Sequence, residues 1–274
     1  MKNYQDFCNH ITNTIFDIID KHGSMLEWKK TWKVNSSFAL PLGNSGFYRG
    51  GNLLSLLVSQ VDNGFTDNKW FTFNQVQKLG GSVLKGARSE IVYFWKPIEF
   101  TETVDGIEVI KNLPIFKTYR VFNIEQTTLA ESIMVIYDEA TCIQEALRKH
   151  DVTISTFGNQ PLFNISDDVI VMPKAEYFQS QDDYNTTLLH ELIHWTGHES
   201  RLNRMNFTSN QLKAYAEEEL VAEIGAVLLA THFGINGDLF NHASYVASWK
   251  KYLSPKEIMR AVNNAVRAFE YVIT

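Results

Sequence analysis

His190 and His194 bracket Glu191, Leu192 and Ile193, and this pentapeptide constrains its surroundings more than any other segment of the chain. On a helix of 3.6 residues per turn, positions i and i+4 lie one above the other, so the two imidazoles can face a single ion. Glu191 projects about 100° round the same turn. That places a carboxylate beside a metal rather than on it, where it can take a proton from water. A catalytic zinc needs three protein ligands and one open position, so the chain must bring a further donor to this helix.

Two completions are open to an H-E-x-x-H helix. The metzincin pattern H-E-x-x-H-x-x-G-x-x-H is followed as far as Gly197 and then fails, because Ser200 stands where its third histidine belongs. His198 has no place in that pattern and is read as a polar group near the mouth of the site. The other completion takes a glutamate from a second helix. Residues 215–233 hold Glu217, Glu218, Glu219 and Glu223, and Glu219 begins an apolar face through Ala222, Ala226 and Leu229. A carboxylate on such a face needs a cation to offset its desolvation. Glu219 is therefore the third ligand beside His190 and His194, and Glu191 is the general base. Glu223, one turn on, is expected to accept the free N–H of a ligand histidine. Glu217 and Glu218 are read as acidic residues favoured near a helix N-terminus. Tyr215, His198 and Arg201 are candidate substrate contacts.

At 274 residues the chain is long enough for two domains. The first 20 residues carry Asp6, Asp17 and Asp20 and no continuous apolar run, so no secretory signal is expected there. No segment approaches the roughly 20 apolar residues of a membrane span. Cys8 and Cys142 form no C-x-x-C pair. A cytoplasmic protein with free thiols and no membrane partner is expected. Helices are expected at 4–22, 52–60, 74–79, 139–150, 183–195, 217–233, 241–253 and 255–271. Strands are expected at 70–73, 91–95, 108–110, 117–122, 152–154 and 169–172. The fold class is α+β, with a mixed domain over 1–125 and a zincin-like domain over 126–274.

The net charge of −6 conceals an asymmetry. Residues 1–125 hold 14 basic and 12 acidic side chains, and the remainder 11 and 19. Between Trp28 and Lys96 nine basic residues face only Asp62, Asp67 and Glu90. Lys29, Lys30, Lys33, Arg49, Lys69, Lys78, Lys85 and Arg88 are interleaved there with Trp28, Trp32, Phe47, Tyr48, Trp70, Phe71 and Phe73. Cations for phosphate and flat rings for unstacked bases are the combination that holds single strands. Aromatics in strands also build cores, and alternation lets only one of the pairs Trp70/Thr72 and Phe71/Phe73 face a ligand. Glycine loops admit phosphate to backbone N–H groups, which favours Lys85-Gly86 and Tyr48-Arg49-Gly50. The expected DNA contacts are Lys29, Lys30, Tyr48, Arg49, Trp70, Lys85 and Arg88.

With these parts assembled, Thr187 to Leu192, His194 to His198, Ser200 to Leu202 and Glu218 to Ala226 resemble the ArdC-type antirestriction proteins of conjugative plasmids and phages. The ImmA/IrrE-like peptidases are a more distant likeness. Tyr48 to Asn52, Trp70 to Phe73, Leu79 to Gly81, Lys85-Gly86 and Val121 to Asn123 resemble the N-terminal domain of the same family. The resemblance implies a domain that binds single-stranded DNA joined to a zinc metallopeptidase-like domain, with manganese as the alternative metal. It also implies a role in protecting incoming plasmid or phage DNA, with a host restriction-system protein as substrate or target. The rival reading is a DNA-binding antirestriction protein whose metal is structural. Metal-dependent DNA cleavage is disfavoured, because nucleases use carboxylate-rich sites with magnesium or manganese. Gly51 departs from the resemblance, standing where a β-branched residue is expected.

Overall fold

The computed structural model describes residues 4–25, 39–44, 46–104, 107–130, 143–205, 211–235 and 252–274. Lys29, Lys30 and their aromatic neighbours Trp28 and Trp32 lie outside the described residues, as does most of the helix expected over 241–253. The chain has two domains of mixed helix and sheet.

Helix α1 (Tyr4–His22) buries Phe7, Ile11, Ile15, Ile18 and Ile19 at helical spacing. A small hairpin, β1 (Leu42–Gly43) and β2 (Gly46–Phe47), leads into α2 (Gly51–Asn63). Strand β3 (Trp70–Thr72) ends where Thr72 becomes a helix cap: its hydroxyl accepts the Gln75 N–H, and the Gln75 side chain returns to the Thr72 N–H. The short α3 (Phe73–Lys78) follows, so Phe73 leaves the strand predicted for it and lies exposed at the helix start.

Strands β4 (Glu90–Val104) and β5 (Ile107–Asn123) form one long antiparallel hairpin, and β3 adds to the far edge of β5. Separate short strands were expected here at 91–95, 108–110 and 117–122, and the hairpin runs through them across Pro97 and Pro114. Those prolines stand opposite each other in the register. Beyond the reach of β3 both strands have an outward edge, where a missing N–H breaks no ladder.

Helix α4 (Ile143–Lys149) opens the described part of the second domain. A three-stranded sheet follows in the order β6 (Ile154–Thr156), β8 (Val169–Met172), β7 (Leu162–Asn164). β6 runs parallel and β7 antiparallel to β8, which leaves β7 at an edge. Three helices complete the domain: α5 (Gln181–Thr196), α6 (Gln211–His232) and α7 (Pro255–Ile273). α7 begins with a Ser254–Glu257 capping box and Pro255 in its first turn. α6 is buried on all sides from Glu218 to Thr231, which marks it as the central helix of the domain. Gly225 lets α5 approach it, since a Cβ there would stand 2.7 Å from Ile193 Cδ1. Glycine inside a helix costs about 1 kcal/mol against alanine. Here it lets the two donor-bearing helices approach.

The largest core is continuous across the two domains. Phe7 and Ile11 of α1 and Leu53 and Leu57 of α2 join the same cluster as Leu220, Val262 and Phe269. Gly51 lies at this seam: a Cβ would meet Phe7 Cζ at 2.7 Å and Met259 Cε at 3.1 Å. That contact explains why a β-branched residue does not stand there. Asn52 closes the seam from the sheet side, donating to the Tyr93 carbonyl at 2.6 Å and accepting its N–H at 2.9 Å. No helix among the described residues is long and apolar enough to cross a membrane.

Candidate metal centre and nucleic-acid face

α5 begins at Ser180, whose hydroxyl accepts the Asp183 N–H, and carries Asp182 and Asp183 in the first turn, where the macrodipole favours them. From Thr186 onward every residue of the helix is buried. His190 and His194 therefore lie within the protein, on the side that faces α6. Their Nε2 atoms are 3.2 Å apart. Glu219 of α6 reaches both, with Oε2 3.6 Å from His190 Nε2 and Oε1 3.6 Å from His194 Nε2. One donor from each of the three residues lies within 4.8 Å of the others. Donors about 2.1 Å from a tetrahedrally bound ion stand about 3.4 Å from one another. The observed spacing fits a divalent metal held by two imidazoles and a carboxylate.

The titration behaviour of the metal-free chain follows from this crowding. Burial pushes the Glu191 carboxyl up to about 7, with Glu219 adding to the rise, while His194 and the Phe163 N–H oppose it. Burial would also raise Glu219, but its hydrogen bond with His190, the charges of both histidines and the Tyr215 hydroxyl outweigh that and hold it at about 2. For His194, burial favours the neutral ring. The Glu218 hydrogen bond and the carboxylates of Glu219 and Glu191 outweigh it and raise the ring to about 9. The proton this retains occupies the place of a cation, and metal binding to such a site displaces it.

The neighbours of the centre differ from the sequence reading in three ways. Helix α6 starts at Gln211, so Glu217 and Glu218 stand in its second turn and not at its N-terminus. Glu217 pairs with Arg260 of α7. Glu218 is buried, and its Oε1 lies 3.2 Å from His194 Nδ1. The acceptor for the His194 ring N–H is thus Glu218, for which no such role was expected. Glu223 itself is buried one turn further along α6.

Arg201, a candidate substrate contact, is committed to structure. Its guanidinium carbon lies 3.8 Å from the centre of a Trp195 ring, its Nε donates to the Trp195 carbonyl, and it pairs with Asp168. His198 bonds Ser200. Tyr215, on the exposed end of α6, directs its hydroxyl to Glu219.

Sequence reasoning missed two groups. Phe163 on the edge strand β7 turns its N–H toward Glu191, and the three-residue strand that carries it was too short to read. Arg204, in the loop after α5, has a side chain only 8% exposed and holds Glu218 through both oxygens. A lone arginine in a loop carries no pattern that sets it apart from a solvated one. Only the run from Gly197 to Arg204 just after the motif could have drawn notice.

In the first domain the expected DNA contacts separate. Trp70 is 1% exposed and packs with Leu56, Val92 and Val121, so it cannot stack on a base. Phe71 is buried on the other face with Val76 and Ile124. Lys69 is buried against Asp67. Tyr48 is half-buried, with burial pushing its hydroxyl up to about 12, and that hydroxyl points at the Trp70 carbonyl. Arg49 pairs with Glu270 of α7 at 2.7 Å, and a Cβ on Gly50 would meet Asn263 of the same helix. The Tyr48-Arg49-Gly50 loop thus borders the seam between domains, with the Arg49 side chain 78% exposed. Lys85 and Arg88 remain exposed. On the same face as the buried Val92 and Val121, but further along the β4–β5 hairpin, lies an exposed pair that sequence reasoning did not single out: Phe94 and Tyr119, 45% and 43% exposed, edge to face at 5.4 Å. Lys117 lies directly across from Phe94 in the register and is exposed.

Two family models cover the chain in succession: the N-terminal domain of the anti-restriction factor ArdC over residues 5–122, and a zincin-like metallopeptidase over residues 141–266. Two Escherichia coli proteins named DNA primase TraC are each 32% identical over 90% of this chain. The chain spans only 18% and 25% of their lengths. The uncharacterized protein y4eC of Sinorhizobium fredii is 29% identical, and the chain covers 84% of it. Among solved structures, the metal-free antirestriction ArdC protein from the R388 plasmid is 30% identical, with a TM-score of 0.80 over 97% of this chain and 96% of that one. Its Mn(II)-bound form superimposes with a TM-score of 0.75. A chain whose two halves match, in order, the domains of one solved protein almost from end to end belongs to that protein's family, the ArdC antirestriction proteins.

Proposed function

We propose that the chain binds single-stranded DNA through its first domain and hydrolyses a peptide bond at the centre formed by His190, His194 and Glu219, as part of protecting incoming plasmid or phage DNA from host restriction. The observation that carries the catalytic half is the buried Glu191 carboxyl beside three converging donors. A purely structural metal has no use for such a group. When bound, a divalent zinc or manganese ion supplies Lewis acidity toward water and a peptide carbonyl. Glu191 takes a proton from the attacking water and returns it to the departing amine. The Phe163 N–H keeps the Glu191 carboxylate facing the site. Glu223, buried on α6, is proposed to support the histidine side of the centre. The existence of an Mn(II)-bound R388 ArdC structure supports manganese as the alternative to zinc.

Glu191→Gln tests this directly. It should retain metal by elemental analysis and lose about 10²–10⁴ in peptide cleavage. If the variant also protects transferred DNA fully, the protein acts by binding and not by cleavage.

For the DNA half, the proposed face is Phe94, Tyr119 and Lys117 with Lys85 and Arg88 at its margin. Phe94→Ala and Tyr119→Ala should each weaken oligonucleotide binding by about 1–3 kcal/mol. Replacing Lys117 with alanine should lower the salt slope of log K by about 0.7. Binding that ignores ionic strength would remove phosphate contacts from the reading.

A further inference from the structure

α6 presents two adjacent buried carboxylates to the histidines of α5, and only one of them faces both ring Nε2 atoms. Glu218 is turned aside by Arg204. The Arg204 Nε donates to Glu218 Oε2 at 3.0 Å and Nη2 to Oε1 at 2.9 Å, a two-pronged grip that only a guanidinium can make. Nη1 donates to Thr196 Oγ1 at 2.8 Å, and Nη2 also reaches the Ile193 carbonyl, so the arginine is anchored to the end of α5. Its side chain is 8% exposed. Gly197 makes room for it, because a Cβ there would stand 3.1 Å from Arg204 Nη2 and 2.9 Å from Met205 Cγ. This gives the glycine that continued the abandoned histidine pattern a purpose of its own.

We infer that Arg204 is a positioning residue for the metal centre, acting through Glu218 on His194. Glu218 accepts the His194 Nδ1–H, which fixes the ring so that its Nε2 points at His190 and Glu219. Arg204 in turn offsets the charge of Glu218, which would otherwise add to that of Glu219 and Glu191 in one buried space. By occupying both Glu218 oxygens it also leaves Glu219 as the carboxylate that faces the ion.

The inference rests on the metal reading above, and the test separates the two. Zn(II) and Mn(II) affinities of the full chain are measured by competition with a chelator, alongside thermal unfolding of the metal-free forms. Arg204→Met and Glu218→Gln should each bind metal 10–100-fold more weakly, and Arg204→Lys should recover part of the loss. The double variant should lose less than the product of the two single losses, because the residues act as one unit. Affinity unchanged within about twofold in Glu218→Gln overturns the inference, as do independent losses in the double variant. Glu218→Gln keeps the Arg204 bonds to Ile193 and Thr196, so it carries the test if Arg204→Met does not fold. A wild-type chain that binds neither ion overturns the metal reading instead.

Discussion

The α5–α6 helix pair and the β3-β5-β4 sheet both gather the residues that chemistry requires, and they use burial in opposite ways. At the helix pair, His190, Glu191, His194, Glu218 and Glu219 are all buried. Donors for a metal must be held still and away from water, so they sit where a core would be. At the sheet, the aromatic and basic residues divide: Trp70, Phe71 and Lys69 are inside, while Phe94, Tyr119, Lys117 and Lys85 are outside. A surface that stacks on bases and meets phosphates must stay exposed. A polar residue inside is therefore informative on its own, whereas an aromatic residue in a strand becomes informative only once it is known what packs over it.

The largest effect expected from this contrast is at the helix pair. His194→Ala removes a donor and should take the metal content from about one per chain to near zero after dialysis. Lys85→Ala, on the exposed margin, should leave it unchanged. Metal retained in full by His194→Ala would break the ligand set.

The next effect divides the sheet itself. Trp70→Ala should destabilise the chain by about 3–5 kcal/mol in urea unfolding, the usual cost of emptying a core site of that size. Phe94→Ala, removing an exposed ring further along the sheet, should stay within about 0.5 kcal/mol. Equal losses would place Phe94 in the core and remove it from the DNA face.

The smallest effect concerns the join between α6 and α7. Burial would raise the Glu257 carboxyl, but Lys213 at 2.6 Å and the Ser254 cap hold it at about 2 against an ordinary 4.5. A depressed folded value contributes stability above about 4.5 that is lost as the pH falls from there toward 2. Glu257→Gln should flatten the acid limb of the stability curve over that window. A curve identical to wild type would show that this ion pair does not couple the helices.

Much of the framework was legible in the residues. The helix at 4–22, the strand at 169–172 and the capped start of the last helix at Pro255 follow from periodicity and capping chemistry, which act over a few neighbours. The β4–β5 hairpin is legible only in fragments, and the pairing alone joins them and sets Pro97 opposite Pro114. Tyr48-Arg49-Gly50, which Gly51 follows directly, looked like a phosphate loop because its composition fits one. Its use at the domain seam depends on Phe7, Met259, Asn263 and Glu270, which lie far away in sequence.

The sequence by itself determined that residues 190–194 form a helix with two imidazoles on one side, and it pointed to Glu219, at the head of an apolar face, as the missing donor. Spacing along a helix is local, and 3.6 residues per turn settles it. Which neighbour of Glu219 holds His194 and which one pairs with Arg260 was decided only by tertiary structure. Glu217, Glu218 and Glu219 point about 100° apart, and α6 from Glu218 onward is buried all round. No polar face marks one of them out. Their roles are set by what packs against each: Arg260 from α7, Arg204 from the loop after α5, and the two histidines of α5.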